Sequence, residues 1–313
     1  MRAALPLLHS MPPCPLMRSC TSSPHSFLAA LAPLPRHLHR VRTGGIVLLG
    51  VLWLASSAQA QSTYDLMGSA RAAALGNATT ALASDAGVHA NPASRATHTT
   101  RVVSLFARQS FGLSELRYGA AHLTEPFAWG TLSGGASTFG FDAYREVHLS
   151  AGVARSLQFG TSRRFHAGLT LRYYHTTIDG FGSAGALGLH GGVLVQVMSN
   201  LDFGAHATNV NRPDLTDGEP LPQTLSVGLS YKAEERLRVV VDAFKDLDFP
   251  LALRGGLELY PVPVLALRAG VAAEPTRFTA GAGVRLGRLQ ADVAAEQHQD
   301  LGWSPSASLH VHW

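Results

Sequence analysis

The chain has 313 residues, 46% of them hydrophobic and 15% charged, with 31 Gly and 17 Pro. A mean hydropathy of +0.10 does not fit a multi-span helical membrane protein. The formal charge of +4 comes largely from Arg2, Arg18, Arg36, Arg40 and Arg42, and the remaining cations alternate with acids, so no basic stripe for nucleic acid exists.

The first 60 residues read as leader. In RHLHRVRTGGIVLLGVLWLASSAQA, residues 36–60, three arginines precede an apolar run from Gly45 to Ala55, and Ala58-Gln59-Ala60 supplies a small-x-small cleavage site. The apolar run is shorter than the roughly 20 residues a spanning helix needs. Cleavage is expected after Ala60. The proline-rich stretch 1–35 is unusual before a signal peptide, and a translation start assigned too far upstream would account for it. Both cysteines, Cys14 and Cys20, leave with this segment. Arg18 and the absence of a preceding apolar run argue against Cys20 as a lipoprotein cysteine.

Residues 61–99 contain YDLMGSARAAALGNATTALASDAGVHANPASRATH. Ala72 to Leu75 suit a helical turn that Gly76 ends, and Thr79 to Ala83 suit a second short helix before Asp85. Pro92 fixes its own φ and biases Asn91 toward an extended backbone, so the Asn91 side chain can cap or bridge backbone groups. The plainer reading of Asn91-Pro92 is a turn before the first strand.

From residue 100 to 313 one theme repeats: about ten residues of alternation, then a turn. Phe165, Ala167, Leu169, Leu171 and Tyr173 share one face opposite His166, Gly168, Thr170 and Arg172; Phe278, Ala280, Ala282 and Val284 stand opposite Thr279, Gly281, Gly283 and Arg285. About fourteen such segments follow one another. An even number of ten-residue alternating strands in an exported chain predicts an all-β transmembrane antiparallel barrel, because only helices and closed barrels satisfy every backbone group in lipid. A soluble β-sandwich also alternates, but Trp129, Tyr173, Tyr231, Tyr260, Trp303 and Trp313 fall near segment ends, where interfacial girdles lie.

The last segment, SASLHVHW, ends in mid-pattern. Leu309, Val311 and Trp313 fall on its apolar parity, His310 and His312 on its polar one. A terminal aromatic on an alternating strand resembles the signal read by the barrel assembly machinery. Fourteen strands enclose a lumen wider than short side chains can fill, so residues 61–99 are expected to form a partly helical plug. Val102, Phe106, Phe139 and Phe141 are candidate apolar lumen residues. No G-x-S-x-G elbow, H-E-x-x-H helix or phosphate loop occurs, and the pair His310 and His312 has no acidic or thiol companions in sequence, so neither catalysis, a metal nor a cofactor is expected.

The N-terminal pattern, carried by Gly68, Ala70, Arg71, Ala74, Leu75 and Gly76, then Ala81, Asp85 and Ala86, then Asn91, Pro92 and Ala93, resembles the PorV/PorQ family of outer-membrane barrels, itself related to FadL-type channels. VRLGRLQADVA at 284–294 matches a late hairpin of that family. Where relatives carry an aromatic before Asn-Pro, this chain has Val88-His89-Ala90. The resemblance implies a barrel of the cell outer membrane in contact with its lipid, and a role in type IX secretion with translocon components or cargo as partners. The alternative is a FadL-like channel for small hydrophobic compounds.

Overall fold

The computed structural model describes residues 68–159, 163–216 and 219–313. The leader, its cleavage site and residues 61–67 lie outside them. Fourteen strands close into one antiparallel barrel. They are β1 (Val102–Gln109), β2 (Arg117–Phe127), β3 (Gly130–Phe141), β4 (Tyr144–Phe159), β5 (Arg163–Ile178), β6 (Gly182–Met198) and β7 (Leu201–Thr208). After a small separate hairpin of β8 (Asp214–Thr216) and β9 (Glu219–Pro220), the barrel continues with β10 (Thr224–Glu234), β11 (Leu237–Asp246) and β12 (Leu251–Val262). It ends with β13 (Leu265–Ala272), β14 (Arg277–Leu286), β15 (Leu289–His298) and β16 (Gly302–His312). Neighbours in sequence are neighbours in the wall, except that β7 pairs with β10 across the loop holding β8 and β9.

The barrel closes where its first strand meets its last, with Val102 opposite His312 and Arg108 opposite Ser306. Beyond that ladder, the Arg101 amide donates to the Trp313 carbonyl at 3.1 Å and the Trp313 amide returns the bond to Arg101 at 3.1 Å. The terminal tryptophan is therefore the last paired residue of the closure. Its ring, with Leu309 and Val311, stands on the outward parity.

Alternation decides which way each side chain points. Leu169, Leu171 and Tyr173 on β5 are exposed while His166, Gly168, Arg172 and Tyr174 are buried; on β16, Ser304, Ser306, Ser308 and His310 are buried while Trp303 and Leu309 are exposed. The outer wall is thus a band of Leu, Val and Phe suited to lipid, and the buried polar residues belong to the interior. Among the described residues no helix is long and apolar enough to cross a membrane. Trp129, stacked on Phe127 at 5.8 Å, and Trp313 mark the rim where the chain ends, and Trp303 the opposite rim. Tyr260 departs from the expected girdle: it follows Glu258 and Arg254 on the inward parity of β12, one position past the exposed Leu259.

Residues 68–98 lie within the lumen, nearly all of them buried. Helix α1 (Ala70–Ala74) is capped by Ser69, whose Oγ accepts from the Ala72 amide. It ends at Leu75 because Gly76 turns the chain with φ +62°, where a side chain is strained, and where a Cβ would meet the Val271 carbonyl oxygen at 2.6 Å. The second helix expected at Thr79 to Ala83 does not form; the chain makes turns there. The Thr80 amide and hydroxyl both donate to Asp242 Oδ2, at 2.9 and 2.7 Å, so wall contacts replace a helical ladder. A 3-10 helix, Pro92–Thr97, instead follows Asn91.

Candidate functional site

The waist of the barrel is where wall and plug meet, and it is built from two kinds of contact. One is close approach. Gly256 on β12 faces Gly270 on β13 in register, and a Cβ on Gly256 would lie 2.7 Å from the Leu75 carbonyl oxygen. Gly168 on β5 likewise faces Gly192 on β6, and a Cβ on Gly192 would lie 3.0 Å from Asn91 Cγ and 3.1 Å from Pro92 Cδ. Each glycine pair is a dent that seats plug backbone. Of the candidate lumen residues, Phe106 and Phe139 join Ala70, Ala73, Ala74, Val88 and Tyr118 in an apolar cluster. Val102 is buried as well, whereas Phe141 ends β3 at the loop rim and is exposed.

The second kind is polar. Glu258, fully buried, accepts from Arg71 of α1 through both carboxylate oxygens, at 2.8 and 2.7 Å. Arg268 Nε reaches the same carboxylate at 2.8 Å and Arg238 Nη1 at 3.1 Å. Arg268 Nη1 continues to Asp292 Oδ1 at 2.6 Å, crossing β14 over Gly283, whose missing side chain leaves the room. Asp292 also accepts from Gln290 at 2.8 Å and lies 3.5 Å from His310 Nε2, while His310 Nδ1 meets Ser104 Oγ at 2.7 Å. One network therefore joins plug, β11 to β13, β15, β16 and β1. Ser308 Oγ accepts the Ala70 amide at 2.7 Å, and Thr279 Oγ1 accepts Gly76 and donates to the Ala74 carbonyl, each at 3.0 Å.

On the other side, Asn91 Oδ1 caps the Ala93 amide at 3.0 Å, and Nδ2 donates to Thr80 O at 2.8 Å, Val193 O at 3.0 Å and Ala205 O at 3.3 Å. One amide thus ties two plug segments to two wall strands. Arg172 donates to the Val88 carbonyl at 3.0 Å and to His89 Nδ1 at 2.8 Å. A guanidinium has only donors, so the His89 proton sits on Nε2, which meets Tyr118 OH at 2.8 Å. Within the plug, Asp85 Oδ1 accepts from Ser69 Oγ and the Gly87 amide, both at 3.1 Å, and Arg95 donates to the carbonyls of Asp85 and Gly87. Burial, with Arg95 beside it, pushes the His98 imidazole down to about 3, so it is neutral at physiological pH.

The motif residues predicted from sequence therefore come together as one body. Arg71 and Asn91 reach the wall, Asp85 ties the plug internally, Gly68 packs on Gly87 and Val88, Gly76 turns, and Pro92 lies against Gly168. Leu309, Val311 and Trp313 belong to the closing strand and not to the waist. Sequence reading missed Glu258, Asp242 and the paired glycines as plug receivers. Their signal was present as a buried-parity acid or glycine on an alternating strand, but nothing local says which faces the plug.

The plug separates two cavities. Toward the loop rim a space of about 80 Å³ is lined by Asn77, Thr80, Asn91, Arg172, Tyr174, His190, His206 and Arg254. It lies beneath the 209–223 loop, whose Leu221 packs on Tyr174 and Ala186. Toward the chain-end rim a vestibule of about 440 Å³ is lined by Arg71, His98, Lys232, Arg238, Arg268 and Arg285, among others. Among the described residues no group of three or more His, Cys, Asp or Glu is placed to hold a metal.

A closed, internally plugged barrel with an apolar outer wall is of the outer-membrane type. No protein-family model and no curated protein matches the chain. Solved structures do: the CymD monoaromatic hydrocarbon channel, at TM-score 0.58 and 12% identity over 78% of this chain and 97% of that one. The Pseudomonas putida toluene transporter TodX matches at TM-score 0.55 and 13% identity over 77% and 95%. A Pseudomonas aeruginosa FadL homologue matches at 0.54 and 12% over 79% and 98%. At these identities the likeness is one of fold, and the fold is a FadL-like barrel.

Proposed function

We propose that this protein is a non-enzymatic channel of the outer membrane that passes small apolar or amphipathic compounds. The observation that carries the reading is the waist: a separate segment fills an otherwise open barrel, and a cavity lies on each side of it. The channels of similar fold, named for hydrocarbons, support it by analogy. β16 ends on the rim of short turns, and in barrels of this type the rim of short turns faces the periplasm. The PorV/PorQ resemblance and a role in type IX secretion rest on the N-terminal motif and the 284–294 hairpin, and most loops on the outer rim are too short to form a broad platform for cargo.

Uptake of labelled toluene by cells expressing the full chain, in a host without a hydrocarbon channel of its own, tests the reading. A rise over the empty-vector control, lost on substituting Asn91→Leu, is expected. Uptake equal to the control, together with co-purification of a secretion translocon, would replace the channel by the secretion role.

A further inference from the structure

We infer that the loop-side cavity is a binding site for a small planar monovalent oxyanion, of formate or nitrate size, held on Arg172. The cavity wall carries two guanidiniums, Arg172 from β5 and Arg254 from β12, and among the described residues no carboxylate lines it. Its histidines, His89, His190 and His206, bring no negative charge whether protonated or neutral.

Arg172 is the group that calls for the ion. It is 6% exposed, and its two hydrogen bonds go to the Val88 carbonyl and to His89 Nδ1, both neutral acceptors. Such acceptors satisfy N–H groups without balancing a charge. Arg71, Arg108 and Arg268, buried to a similar degree, each meet a carboxylate at 2.7 to 2.8 Å. The acids on strands near Arg172 are engaged elsewhere: Glu146 accepts from Tyr144 OH and lies beside His148, and Asp242 accepts from Thr80. A buried cation without its counter-charge is costly, so an anion able to reach it is drawn in. Nε takes part in neither bond, and it is not one of the interior nitrogens sealed from solvent without a partner, so it is reached from the cavity that Arg172 lines.

The dimensions select the ion. About 80 Å³ takes two or three waters at roughly 30 Å³ each, whereas a cavity that binds benzene measures about 150 Å³. Aromatic solutes and aromatic acids are therefore excluded. The parallel N–H groups along a guanidinium edge match two oxygens of one planar ion, a fit that a spherical halide lacks. Because Arg172 holds Val88 and His89, the ion supplies counter-charge to a joint between plug and wall. Binding is independent of the channel reading, since nothing in it requires passage of a solute.

The test is the carbon-13 linewidth of labelled formate titrated against the full chain, folded in zwitterionic detergent with gluconate, too large for the cavity, as background anion. Saturable broadening is expected, reversed by nitrate and unaffected by benzoate. Arg172→Gln should weaken binding at least about tenfold, the loss of one charge-assisted contact. Ser226→Leu, which fills the cavity from β10 and leaves the bonds of Arg172 in place, should abolish it. The double variant Lys232→Gln with Arg285→Gln, on the far side of the plug, should bind as the parent does. Heat-modifiable gel mobility verifies that each variant is folded. Formate should also slow protease cleavage between residues 85 and 98, because ligand bound to the closed plug favours it. Absence of saturable broadening, full binding to Ser226→Leu, loss of binding in the double variant, or displacement by benzoate would each overturn the site, and unchanged cleavage would overturn its link to the plug. Toluene uptake without formate binding would sink the site and leave the channel reading; formate binding without uptake would do the reverse.

Discussion

The two halves of the plug are held in different ways. The α1 half and the Asn-Pro half each rest on a pair of facing wall glycines, Gly256 with Gly270 and Gly168 with Gly192. Above those seats the chemistry diverges: the α1 half offers a cation to a buried wall acid, whereas the Asn-Pro half offers a neutral amide to wall carbonyls. A carboxylate that serves three guanidiniums is a point on which much depends. An amide sharing carbonyls that already belong to sheet ladders is a smaller and more local contribution. The steric seat is common to both halves and the strength of the polar tether is what sets them apart.

That contrast is open to direct attack, most strongly at Glu258. Its replacement, Glu258→Ala, leaves Arg71, Arg238 and Arg268 without their shared counter-charge and should cost about 3–5 kcal/mol. Urea titration of the refolded barrel, followed by tryptophan fluorescence, measures it. Arg71→Leu should cost distinctly less, because Glu258 keeps two partners; equal costs would mean that the network does not act as a unit.

Next comes the seat of the other half. Gly192→Val places a Cβ 3.0 Å from Asn91 Cγ and should cost about 1–3 kcal/mol, with new protease cleavage between residues 85 and 98. Unchanged proteolysis would show that the Asn-Pro half can shift without leaving the wall.

Asn91→Leu keeps much of the volume but removes the cap and the bridge, with an expected loss of about 1–3 kcal/mol. If it exceeded Glu258→Ala, the ranking of the two halves drawn above would be reversed. Thr80→Val deletes one hydroxyl bond to Asp242 and should cost about 1 kcal/mol, measured the same way.

Trp313→Ala is expected to change stability least, within about 0.5 kcal/mol, because an outward ring leaves the backbone pair with Arg101 intact. Its effect should appear in the yield of assembled barrel in cells. Normal yield would show that the Trp313 ring is not needed for assembly.

Strand number, the outward or inward direction of most strand side chains and the closing role of the last segment were legible in the sequence, since a period of two needs no distant partner to be read. The alternation of β5, β14 and β16 carried directly into lipid-facing and buried parities. The Asn91 side chain as a bridge was also legible, because proline restricts the residue before it. Tyr260 was misread for the same local reason: an aromatic near a strand end looks like a girdle residue until the parity with Glu258 places it inside. The Thr79 to Ala83 helix failed because propensity is weak beside two bonds to Asp242, a residue 162 positions away from Thr80. What the sequence by itself determined is therefore the wall, whose pattern is local and repeated. Only the tertiary structure decided the waist, because which buried acid meets which plug cation, and which facing glycines leave a dent, depends on strand register and on a plug whose wall partners stand far along the chain, 187 positions for Arg71 and Glu258.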